Sequence, residues 1–274
     1  MLIFALWPVW ATAAAPEEVR FPSLDGTALT GWLFKPASPP PHATVVALHG
    51  CGGLYATRGA RQGELNARHQ AMAELLVGEG YAVLFPDSLT PRGERELCTQ
   101  KIGRRRIDQA QRRADALGAG AWVRAQPWAA PQRLAVLGWS HGGSAVLSAT
   151  DATRREVAAQ PWTFALGVAF YPGCGAALKS GYRPATRLAM MLGELDDWTP
   201  PGPCLELGRA VGAEVNVYPD SYHDFDNPVG SVRLRADVPN GTHPGQGVHA
   251  GRNPAAREQA YARLKELLRE ALSR

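Results

Sequence analysis

RLAVLGWSHGGSAVLSAT, residues 133–150, reads as a strand, a sharp turn and a helix in direct succession. Residues 133–140 are an aliphatic run of the kind buried on both faces of a parallel sheet. Residues 142–150 are small and helical in character, and Gly138, Ser140 and Gly142 between the two satisfy GxSxG. Small residues on either side of the serine let the chain turn tightly enough to lift Oγ above the sheet edge. Ser140 is thus the candidate nucleophile; the competing reading is a tight turn without chemistry.

The pattern extends in both directions. Upstream, TVVALHG (44–50) and YAVLFPD (81–87) read as buried strands, with helical character at 65–78 and 104–126. Downstream, FALGVAFYP (164–172), RLAMMLGELD (187–196) and AEVNVYP (213–219) continue the strand series, and AREQAYARLKELLREALSR (256–274) closes it as an amphipathic helix. Residues 17–36 alternate around Asp25-Gly26, the signature of an antiparallel hairpin. Strands alternating with helices imply an α/β fold, a mostly parallel sheet with helices on both faces. One such sheet accounts for residues 16–274 as a single domain. The Gly/Pro-rich stretch 226–254 reads as a surface excursion before the last helix.

A serine hydroxyl needs a base to take its proton and an acid to orient that base. Both candidates lie beyond strand ends after Ser140. GELDDWTP (193–200) offers Asp196 and Asp197, and YPDSYHDF (218–225) offers His223. The order Ser, Asp, His goes with a strand-to-helix serine. The other histidines have simpler readings: His42 in a loop, His69 in a helix, His49 before loop glycines, His141 after the nucleophile, and His243 and His249 in the excursion without the spacing of a metal site.

With these residues in view, the sequence resembles the α/β-hydrolase superfamily, and within it the dienelactone hydrolase family, from residue 17 to 274. The shared residues are HGCGG (49–53), FPDSLTPRG (85–93), GWSHGG (138–143), GxxDxxxP as Gly193, Asp196 and Pro200, and YxxxxHDF from Tyr218. The resemblance implies hydrolysis of a carboxylic ester or lactone through an acyl-enzyme on Ser140, with no metal or organic cofactor and a small-molecule substrate as partner. Founding members of the family carry cysteine at the nucleophile, so Ser140 points away from their substrate and toward a serine esterase. The GxxDxxxP spacing favours Asp196 as the triad acid, with Asp197 as the alternative. Oxyanion donors are expected from the backbone N–H of His141 and of Cys51, with Gly52 as the alternative to Cys51.

Trp139, Tyr171 and Trp198 are candidates to line the substrate site, or else cap the core. Arg92 is a candidate for a substrate carboxylate, or else pairs with Asp87. The superfamily's strand order implies disulfides Cys51–Cys98 and Cys174–Cys204, with four free thiols as the alternative. Rival functions are a peptidase or acyltransferase with the same triad, and a non-catalytic α/β-hydrolase that binds a partner; the presence of Ser, Asp and His argues against the last.

The 274 residues carry a net charge of +4 from 29 basic and 25 acidic side chains. KIGRRR (101–106), Arg112/Arg113 and Arg154/Arg155 are basic, but Asp108 and Asp115 are interspersed. The segment therefore reads as a solvated helix face, not a nucleic-acid surface. No apolar run reaches the ~20 residues of a membrane span, so no stable membrane anchor is expected. MLIFALWPVWATAAA (1–15) reads as an export signal ending in AxA at Ala11/Ala13 or Ala13/Ala15, although no Lys or Arg follows Met1. An even cysteine count agrees with an oxidising compartment. A periplasmic or secreted protein is expected, or a cytoplasmic one if residues 1–15 are not a signal.

Overall fold

The computed structural model describes residues 15–57, 59 and 61–273. The expected export signal lies outside them, Ala15 apart. Strands β1 (Glu17–Pro22) and β2 (Ala28–Phe34) form an antiparallel hairpin. Its turn is closed by Thr27 N donating to Asp25 Oδ1 at 2.9 Å. The chain then alternates through β3 (His42–Leu48), α1 (Ala67–Gly78), β4 (Ala82–Asp87), α2 (Gln109–Arg124), β5 (Ala129–Trp139) and α3 (His141–Ala149). It continues with α4 (Arg155–Ala158), β6 (Leu166–Phe170), α5 (Gly175–Lys179), β7 (Arg187–Gly193), α6 (Gly202–Val211) and β8 (Glu214–Tyr218). A short pair, β9 (Arg233–Arg235) and β10 (Val248–Ala250), precedes the last helix, α7 (Pro254–Leu272).

Eight strands form one sheet in the order β1-β2-β4-β3-β5-β6-β7-β8. β1 and β2 are the antiparallel members, and every pairing from β4 through β8 is parallel. Side chains alternate across a strand, so the central strands feed two cores. Val45, Ala47, Ala135 and Leu137 join Met72 and Leu76 of α1 and Leu264 and Leu268 of α7. Val46, Leu48, Leu134 and Val136 join Leu117 of α2, Val146 of α3 and Leu207 of α6. Parallel neighbours end on the same edge, so the loops leaving β3, β5, β7 and β8 converge there. Disulfides Cys51–Cys98 and Cys174–Cys204, each with Cα atoms 5.0 Å apart, join segments that follow the adjacent pairs β3/β4 and β6/β7, Cys204 lying in the first turn of α6.

The basic segment corrects the sequence reading. Helix α2 starts at Gln109, where Asp108 and Gln111 form a reciprocal capping box: Ala110 N donates to Asp108 Oδ1 and Asp108 N to Gln111 Oε1. Arg104, Arg105 and Arg106 precede it. Arg112 and Arg113 are buried, not solvated. Arg112 donates to His49 O at 2.6 Å and His49 Nε2 at 3.0 Å, and Arg113 to Ser148 Oγ and Glu156. Charges can leave water here because fixed acceptors replace it.

Candidate active site

Ser140 stands between β5 and α3 with φ 52°, a backbone conformation a non-glycine residue rarely adopts. The turn depends on its flanking glycines. A Cβ on Gly138 would collide with Gly142 O, and one on Gly142 with Leu48 O and His49 O. The second approach presses the start of α3 against the end of β3, and a Cβ on Gly50 would meet Ser140 Cβ at van der Waals distance. Ser140 N donates to Phe170 O at 2.9 Å, which fixes the turn to β6 as well.

His223 follows β8 and faces this turn. Its Nε2 is 2.9 Å from Ser140 Oγ, and its Nδ1 is 2.8 Å from Asp196 Oδ2. Nδ1–H donating to the carboxylate leaves Nε2 as the acceptor for the serine hydroxyl. Asp196 is held in turn by Trp198 N and Thr199 N, which donate to Oδ1 at 2.9 and 2.8 Å. Thr199 Oγ1 lies 3.0 Å from Asp196 Oδ2 and 3.0 Å from Tyr171 O. All three side chains are almost fully buried. Asp197 turns away, its Oδ2 2.7 Å from His249 Nδ1 in the excursion.

The remaining buried histidines are poor bases. Burial and the Arg112 guanidinium hold His49 far below the usual imidazole range, and burial with Arg112 and Arg105 does the same to His141. Burial, with Arg68 beside it, brings His69 down to about 3. An imidazole that resists protonation cannot accept the serine proton near neutrality. His49 instead takes a structural part, with Nε2 accepting from Arg112 and from Ser88 N.

The expected oxyanion donors come from two segments, the residue directly after Ser140 and the loop leaving β3. His141 opens α3, where the first N–H groups have no intrahelical acceptor. Cys51 follows β3, and its carbonyl accepts from Leu97 N at 2.7 Å. This hydrogen bond and the disulfide to Cys98 together tie the loop at two points.

Three of the four candidate lining residues are engaged by other protein groups, and Trp139 and Tyr171 take the alternative reading of core residues. Trp139 is fully buried, its Nε1 donating to Asp226 Oδ2 at 2.7 Å, because the last residue of β5 points into the α1/α7 core. Tyr171 is also fully buried, with its ring centroid 4.5 Å from that of His223. Arg92 pairs neither with Asp87 nor toward the site: its four Nη hydrogens go to Asp115, Asp25 and Ser88 O. Trp198 remains half-exposed, 4.6 Å from the His223 ring and packed against the Cys51–Cys98 cluster. The sequence reading missed Arg68, Arg112 and Asp226, the buried charges behind the site. Asp226 lies three residues beyond His223 in a loop that also carries Asp220 and Asp224, so nothing in the sequence singles it out.

A sequence model of the dienelactone hydrolase family matches residues 29–272. The chain belongs to that family. Among solved structures, it superposes on a dienelactone hydrolase-like promiscuous phosphotriesterase from metagenomic libraries at TM-score 0.68 and 20% identity, covering 95% of this chain and 99% of that one. A dienelactone hydrolase from Anabaena variabilis matches at TM-score 0.64 and 19% identity, over 94% of this chain and 99% of that one. These likenesses establish the α/β-hydrolase fold of this family member. The uncharacterized peptidase YuxL of Bacillus subtilis is 27% identical over 139 residues, 48% of this chain. The chain spans only 19% of that relative's length.

Proposed function

We propose that this member of a hydrolase family cleaves a carboxylic ester or lactone through an acyl-enzyme on Ser140. The observation that carries the reading is the hydrogen-bonded chain Ser140 Oγ–His223–Asp196, with donor and acceptor positions 2.9 and 2.8 Å apart. Ser140 Oγ attacks the ester carbonyl while His223 Nε2 takes its proton, and Asp196 holds the imidazole in the required tautomer. The tetrahedral oxygen develops beside the N–H groups of His141 and Cys51, each such donor being commonly worth ~2.7 to 4 kcal/mol in acyl transfer. His223 then returns the proton to the leaving alcohol, and water repeats the sequence to release the acid. Trp198, next to the base, forms one wall of the substrate site.

The two disulfides support an oxidising compartment, and we take residues 1–15 as the export signal that would deliver the chain to the periplasm or outside. No helix among the described residues is long and apolar enough to cross a membrane.

A fluorophosphonate probe followed by an ester, lactone and peptide panel tests the reading. Labelling of wild type but not of Ser140→Ala, with turnover of esters or lactones, is the expected result. Absence of labelling points to a binding protein, and turnover confined to peptides points to a peptidase, the activity named for the Bacillus relative.

A further inference from the structure

Behind Ser140 and His223 lies a buried polar cluster centred on the Asp226 carboxylate, which is 0% exposed. Trp139 Nε1 and Tyr261 Oη donate to its Oδ2 at 2.7 and 3.1 Å, and Tyr171 Oη donates to Oδ1 at 2.5 Å. The Arg68 guanidinium lies 3.6 Å from Oδ1, donates to Tyr171 Oη at 3.0 Å, and pairs with Asp224. Burial pushes the Tyr171 phenol well above its usual range, so it stays protonated and donating. One carboxylate thus gathers the end of β5, the loop after β6, α1 and α7.

Two of these partners adjoin the reacting groups. Trp139 immediately precedes Ser140. Tyr171 packs its ring on His223, and its carbonyl accepts from Thr199 Oγ1, which also contacts Asp196.

Backbone strain coincides with the same cluster. Among the described residues, the non-glycine residues with positive φ are Ser140 at 52°, Tyr171 at 37°, Asp220 at 51° and Asp224 at 70°. Such conformations persist only where the surroundings hold them. Tyr171 and Asp224 are tied to the cluster by their own side chains, and Ser140 through its neighbour Trp139. A buried ionic group that served stability alone could give way to apolar packing without loss. This one instead joins the segments whose relative placement sets the Ser140–His223 distance.

We propose that Asp226 is a positioning residue for the reaction, holding Trp139 and Tyr171 so that Ser140 Oγ and His223 Nε2 stay within hydrogen-bond reach. The proposal rests on the triad reading above. Asp226 touches no reacting atom and acts through its partners.

Tyr171→Phe removes only the phenol hydroxyl and keeps the ring on His223. Tyr182→Phe is the matched control: another buried phenol, 2.8 Å from Thr150 Oγ1 and outside the cluster. Both variants should lose a similar few degrees of melting temperature. Tyr171→Phe is expected to lower kcat and the fluorophosphonate labelling rate about tenfold with KM unchanged, because small misplacements of catalytic groups slow chemistry more than binding. Tyr182→Phe should leave both rates at the wild-type value. Asp226→Asn should act in the same direction as Tyr171→Phe and about tenfold more strongly. The proposal fails if Tyr171→Phe keeps wild-type rates, changes KM alone, or slows chemistry no more than Tyr182→Phe. If Asp226→Asn does not fold, the two tyrosine variants decide alone. Failure of the triad reading shows separately, as labelling that survives Ser140→Ala.

Discussion

Asp196 and Asp197 are neighbours, and each binds the Nδ1 of a histidine, at 2.8 Å for His223 and 2.7 Å for His249. Distance does not tell the two pairs apart. Exposure does: the side chains of the first pair are 1% and 3% exposed, and those of the second 30% and 43%. The first pair also ends on Ser140 Oγ. The second works as a clasp, with His249 N donating to Asp197 Oδ1 and Thr242 donating to the Asp197 carbonyl, which seats the excursion on the acid loop. A carboxylate–imidazole bond in water is weak and exchangeable. Shielded and joined to a hydroxyl, the same bond can fix a tautomer for chemistry.

The sharpest way to break this contrast is to neutralise each acid in turn. Asp196→Asn should lower kcat for ester hydrolysis by about 10⁴-fold by favouring the wrong imidazole tautomer. Asp197→Asn should leave kcat close to wild type while loosening the excursion, seen as faster proteolysis within 226–254. The opposite ranking in steady-state assays would assign the acid to Asp197.

A second test acts on the surroundings of the buried pair. Trp198 packs against both His223 and the Cys51–Cys98 cluster, and Cys51 carries one of the two proposed oxyanion donors. Mild reduction should therefore depress activity several-fold before the sheet unfolds, as followed by parallel activity and near-UV circular dichroism. Closing a loop of sequence separation 47 suggests roughly 4 kcal/mol of stability from chain entropy, so complete reduction should also lower the melting temperature. Simultaneous loss of activity and structure would mean that the bridge acts on stability alone.

The smallest effect on activity at neutral pH comes from the protonation of groups outside the triad. His49, His69 and His141 have folded-state values below those of the free side chain, with His69 at about 3. Between the two values the unfolded chain binds more protons than the folded one, so stability is complete above about pH 6.5 and declines as pH falls below it. Glu214, held by Arg263 at about 2, adds its own loss only as pH falls below about 4.5. Melting temperature should thus fall from pH 6.5 to 5, before the carboxylates titrate. A flat profile over that range would contradict the burial of the three rings.

Much of the molecule was legible along the chain. Gly138-Trp139-Ser140 at the end of an aliphatic run, an acid after β7 and a histidine after β8 are local patterns, because parallel strands all deliver their loops to one edge. The choice between Asp196 and Asp197 was readable only through the family spacing, since adjacent carboxylates have the same intrinsic chemistry. Arg112 and Asp226 were not legible: a charge in a helix or loop reads as solvated unless its buried acceptors, here His49 O, or its donors, here Trp139 Nε1, are known. Trp139 and Tyr171 follow the second of their two readings, the core, and the sequence could not choose because chain proximity to Ser140 does not say which face a side chain takes.

The sequence by itself determined the strand-turn-helix around Ser140, the alternating strands and helices, and the order in which serine, acid and histidine arrive. Those follow from periodicity and from residue size at single positions, which are local. Tertiary structure decided which aspartate meets His223, which aromatics enter the core, and which charges lie buried behind the site. Those depend on contacts between residues as far apart as Trp139 and Asp226 or Arg68 and Asp224, where the energy of a group is set by what surrounds it after folding.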